Sequence, residues 1–183
     1  PNFTVTQDSF FPPYLSESFK NLIIETCKDR KMVSNTVVPR DPIYMAYGLG
    51  FTNTSDLNKD LLEDTNLYLV REINNKINKN TLSSRAANLI KSFFDPSNNK
   101  LGQNIDLNKL SNDILSLEGV KRIYTKNETT SSSIDTVSFL SFNPLYETSD
   151  MTLVNQNITL PYFKFPYLYS PFSLTKRIKV VDE

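Results

Sequence analysis

The side chains best placed for chemistry sit in the run DLNKDLLED. There Asp56, Asn58 and Asp60 alternate as the first three ligands of a calcium loop do. Such a loop needs glycine at its sixth position for the sharp turn and a bidentate glutamate at its twelfth, and the chain has Leu61 and Leu67. The run therefore reads as a solvated acidic turn. Glu63 and Asp64 form a carboxylate pair, the tool of glycoside hydrolysis, but nothing near them suggests a sugar cleft. Ser131, Ser132 and Ser133 have no neighbouring base, and the sequence contains no histidine. That removes Ser-His-Asp triads, Cys-His pairs and imidazole metal sites. Four glycines leave no glycine-rich phosphate loop. In KRIYTK, Lys121, Arg122 and Lys126 are spaced to meet phosphate, yet the formal net charge is zero and a solvated strand face is the better reading. Cys27, the one cysteine, cannot form an internal disulfide, and within NLIIETC it reads as a small apolar residue. The expectation is no catalytic residue, no cofactor and no metal.

What remains is aromatic. LPYFKFPYLYSPF interleaves Pro161, Pro166 and Pro171 with Tyr162, Phe163, Phe165, Tyr167, Tyr169 and Phe172. Prolines at this density exclude a regular helix or a central strand, so the segment is expected to be an irregular strap. Tyr and Phe dominate interface anchors, which makes those six rings the candidate interface, with Lys164 at its rim. The competing reading packs the strap over the chain's own core. As an appendage, it would leave a folded remainder if the chain were cut after Asn157.

These residues need a frame to hold them. A chain of 183 residues suits one domain, or one with an extension, and buries roughly 70% of its unfolded surface. Twelve Phe and nine Tyr are too many buriable rings for a disordered chain. Zero net charge supplies no field toward nucleic acid or anionic lipid, so partners must be held by shape and apolar contact. No apolar run approaches the ~20 residues of a membrane span, and no signal-peptide pattern is present. The opening at Pro1 suggests a processed product or a fragment.

Residues 1–13 read as an arm. A helix follows over 16–29, capped by Ser16 or Ser18, with Phe19, Leu22, Ile23 and Cys27 on one stripe. Strict alternation of Ile43, Met45, Tyr47, Leu49 and Phe51 predicts a strand over 43–52. Residues 66–73 fit either period, and the asparagines after them favour a strand. A second helix is expected over 83–95, capped by Ser83, and a third over 107–118, capped by Asp106, with Leu107, Leu110, Ile114 and Leu117 on one face. Gly119 supplies a left-handed stop, a strand runs over 120–125, and a returning strand over 135–143. The predicted fold is α+β: a small mixed sheet with two or three helices on one face over 14–143, then an extended strap over 144–183.

LIKSFFDPSNNKLGQNIDLNKLSNDILSLEGVKRIYT resembles a segment of the baseplate-J-like proteins of contractile phage tails, with its helix, paired phenylalanines, L-G-x-x-I-D loop, second helix, G-V and strand. SFNPLY and LPYFKFPYL are similar to the C-terminal region of the wedge subunits of T-even-type myoviruses (the gene product six type). The resemblance spans 14 to 180 and is poorest over 53–80. It implies the C-terminal part of a longer, non-enzymatic wedge subunit, assembled in the host cytoplasm and resident in the virion baseplate. Its implied partners are copies of itself and other wedge proteins, with no nucleic acid, membrane or small-molecule substrate. The alternative expectation is a tail-fibre or receptor-binding module that recognises a host surface sugar through exposed aromatics.

Overall fold

The structure, a computed structural model, describes residues 15–28, 36–49, 65–127, 133–137, 139–142, 153–154, 157–158, 160, 164–168 and 174–183. The chain runs α1 (Glu17–Lys28), β1 (Ile43–Leu49), β2 (Thr65–Arg71), α2 (Lys79–Phe93), a 3-10 turn (Pro96–Asn98), β3 (Ile105–Asp106) and α3 (Leu107–Leu115). It continues with β4 (Val120–Asn127), β5 (Ser133–Ile134), β6 (Phe139–Phe142), β7 (Leu153–Val154), β8 (Asn157–Ile158), β9 (Lys164–Leu168), α4 (Leu174–Arg177) and β10 (Ile178–Asp182). The fold is α+β. Its strands fall into three small sheets, ordered β6-β1-β9, β10-β2-β4-β5 and β3-β8-β7.

The two larger sheets are mixed, and each draws a strand from the far end of the chain. β9 runs parallel to β1, with Met45 opposite Pro166, and β10 runs parallel to β2, with Leu69 opposite Val180. The segment expected to be an irregular strap over 144–183 therefore supplies pairing strands, and the expected single sheet is corrected to three. Pro166 is compatible with this because β9 lies at a sheet edge, where a missing N–H costs no ladder bond. The arm expected over 1–13 lies outside the described residues.

Local chemistry explains most element ends. Ser16 caps α1, its hydroxyl accepting from the Phe19 N–H at 3.2 Å. Asp106 caps α3, accepting from the N–H groups of Asn108 (3.0 Å) and Lys109 (3.2 Å). α2 begins earlier than expected because Asn78 is its cap, accepting from Asn80 N–H at 2.9 Å. Ser83 instead donates to the Ile178 carbonyl at 3.2 Å, tying α2 to β10. α3 closes at Ser116, before the expected 118, and Gly119 (φ +91°) serves a turn in which Val120 N–H donates to Leu117 O at 3.0 Å. Of the returning strand expected over 135–143, the described strand is β6, which joins β1 in the other sheet; the residues that return beside β4 are those of β5, just before that range. Between them Val137 is buried, its N–H held by the buried Ser111 hydroxyl at 3.1 Å.

The core lies between the sheets and helices α2 and α3. Leu67, Leu69 and Ile123 meet Leu82, Ala86, Ile90, Leu110 and Ile114, and Tyr47, Leu49 and Phe139 complete the cluster from the three-stranded sheet. Phe94 joins the halves, its ring stacked on Tyr47 (5.8 Å) and tilted on Phe139 (5.1 Å). α2 packs on β10 and α3 on β4, so both cover one face of the four-stranded sheet, as expected of the helices. α1 does not share in this, since it has no buried residue.

Candidate functional site

Alternation along β9 divides the expected interface. Lys164, Pro166 and Leu168 are buried, while Phe165 and Tyr167 point to the opposite face and are half-buried. Tyr44 of β1 meets both rings edge-on, at centroid distances of 6.0 Å to Phe165 and 6.3 Å to Tyr167. Such pairs contribute about 0.5–1.5 kcal/mol beyond area burial and fix the rings as one patch. Tyr162, Phe163, Tyr169 and Phe172 lie outside the described residues. Lys164, expected at the rim, is only 8% exposed, and its carbonyl accepts from Gly102 N–H at 2.9 Å. Tyr44 was not among the expected rings; its alternation in IYMAYGL put it opposite the core, but nothing local joins it to residues 165 and 167.

The second apolar surface is the stripe on α1. Phe19 is 49% exposed and Leu22 is 59% exposed, with Leu15 beside them and Ile23 and Cys27 half-buried. The spacing matched a core-facing helix, yet among the described residues nothing buries it. α1 is nevertheless tethered. Asp41 accepts from Leu15 N–H at 2.9 Å and from the Lys20 ammonium at 2.7 Å, and Lys20 also reaches Glu17 at 3.0 Å. The Lys20 bond, then the Leu15 N–H, hold the Asp41 carboxyl below its usual range; Asp41 and then Glu17 raise Lys20 in return.

The outer face of the four-stranded sheet carries Tyr68 and Tyr124, registered cross-strand partners stacked at 4.8 Å and 3°. Lys179 caps the Tyr68 ring at 6.0 Å and Arg122 the Tyr124 ring at 5.3 Å. Burial, then the neighbouring Tyr68, push the Tyr124 phenol up, with Arg122 opposing. Of the three cations in KRIYTK, Arg122 is paired with Asp135 (2.9 Å) and Lys121 with Glu183 (3.0 Å), which favours the solvated-face reading over a phosphate site.

The acidic run holding Asp56, Asn58, Asp60, Glu63 and Asp64 lies outside the described residues, as do Ser131 and Ser132. Leu67, at the position where calcium would need a glutamate, is fully buried in β2. Among the described residues no group of three or more His, Cys, Asp or Glu is placed to hold a metal. No helix among them is long and apolar enough to cross a membrane. No protein-family model matches the chain, and no curated protein matches it.

Proposed function

We propose that the chain is a structural, subunit-joining part of a contractile-tail baseplate, a wedge-subunit fragment that bonds to copies of itself and to other wedge proteins. The observation that carries the subunit-joining role is the stripe Leu15, Phe19 and Leu22, which no described residue covers, on a helix that the Lys20–Asp41 ion pair tethers. A tethered helix with its apolar face in water is what a subunit presents before assembly, since burying a Phe or Leu fully contributes about 1.5–3 kcal/mol. The Tyr44–Phe165–Tyr167 patch supplies a second, aromatic contact. The baseplate itself rests on the resemblance over residues 89–125 and the SFNPLY and LPYFKFPYL segments.

The experiment is co-expression of the chain with the products of the genes encoded beside its own, followed by affinity capture and mass spectrometry. Recovery in a complex with tail-sheath, tube or wedge proteins is expected, and Phe19→Lys with Leu22→Lys should release the chain without unfolding it. A neighbourhood without tail genes, or a wild-type chain captured alone, would remove the proposal.

A further inference from the structure

A cleft of about 460 Å3 opens between the end of α2, the turn after it and α3. That is within the range of small-molecule sites, about 300–1,000 Å3. Its lining includes the amides of Asn98, Asn99 and Gln103, the charged ends of Lys109 and Asp113, and the half-buried ring of Phe93.

Each amide is held at one end only. Asn98 Nδ2 donates to Ser92 O at 2.9 Å, and Asn99 Nδ2 donates to Phe93 O and Asp95 O, both at 2.8 Å. Gln103 Oε1 accepts from Lys100 N–H at 2.9 Å. The other ends, two carbonyl oxygens and one NH2 group, bond to no described residue; Asn98 and Gln103 are exposed, so these groups meet water in directions their held ends fix. Lys109 and Asp113 stand one turn apart on α3, and neither forms an ion pair with a described residue.

The charges cancel, and that selects the ligand. An anion drawn to Lys109 meets Asp113, and a cation drawn to Asp113 meets Lys109. A hydroxyl both donates and accepts, so a neutral molecule rich in hydroxyls satisfies this mixed set of donors and acceptors. The Phe93 ring offers an apolar edge for the C–H groups of such a molecule. We propose that the α2–α3 cleft binds a short neutral carbohydrate. The site shares no residue with the α1 stripe or the β9 rings, so it stands or falls independently of the assembly role.

The test is an NMR titration of the whole chain with glucose, galactose, mannose and N-acetylglucosamine and their disaccharides, with glycine as a zwitterionic control. Saturable shifts confined to amides around the cleft are expected from at least one sugar. Asp113→Asn and Lys109→Met should each weaken that binding about threefold to tenfold, the loss of one polar contact, with the melting temperature unchanged. Three results would each overturn the proposal: no saturable shift with any sugar, sugar shifts that both variants leave intact, or saturation by glycine in preference to every sugar.

Discussion

Gly119 holds φ +91°, a conformation that a β-branched residue resists, and space is lacking as well. A Cβ there would lie 2.7 Å from Asn75 Cγ, and Asn75 cannot easily withdraw because its Oδ1 accepts from Ile77 N–H at 2.8 Å. Gly119→Val should cost about 1–2 kcal/mol, read as a lower urea midpoint; an unchanged midpoint would count against the turn described. A second residue-scale expectation concerns acid. Lys79 (2.7 Å), then Arg71 (2.7 Å), hold the Asp182 carboxyl below its usual 3.8. A carboxylate depressed in the folded state adds stability that is complete above its unfolded value and fades as pH falls through the folded one. Asp182→Asn should therefore lower the melting temperature near neutrality, and the two curves of melting temperature against pH should converge in acid. A constant gap at all pH values would show that the ion pairs are not its source.

Helices α1 and α3 carry similar apolar spacing and opposite fates. Ile114→Asp places a charge at a fully buried site and should cost about 4 kcal/mol or more, a large part of a small domain's stability. Leu22→Asp, on an exposed face, should stay within about 0.5 kcal/mol. Parallel thermal melts check both, and a large loss in Leu22→Asp would mean that α1 is covered. The contrast marks what local sequence can express. Period and capping made α3, its Asp106 cap and β1 legible, because each depends on neighbours a few residues away. Whether a stripe finds a partner depends on residues far off, and so the α1 stripe does not itself say whether it is covered. β2 fitted both periods until pairing on both sides decided it. Ser83 looked like a cap because hydroxyls favour that position, but Asn78 lay one turn earlier and took it. In the candidate interface, the half-buried state of Phe165 and Tyr167, the burial of Lys164 and the place of Tyr44 all follow from a register set by residues more than a hundred positions apart.

Across the whole molecule, the described strands of the C-terminal segment belong to the sheets. Cutting after Asn157 removes β9 and β10, leaves β1 and β2 with a bare edge each, and deletes the buried Leu160, Leu168, Leu174 and Ile178. The truncated chain should lose its cooperative melting transition, as calorimetry would show, where a detachable strap would have left it intact. The two long-range parallel pairs also set a schedule. Arg71 meets Asp182 across 111 positions, so the four-stranded sheet is not complete until residue 182 has left the ribosome, and the β6-β1-β9 sheet not until residue 168 has. Through that interval β1 and β2 each lack one neighbour, and closing loops of this length is slow compared with forming a helix such as α3. Synthesis thus exposes a window in which the nascent chain is open to mispairing with its own copies, and the outcome depends on translation speed and chaperone supply as much as on the stability of the finished fold.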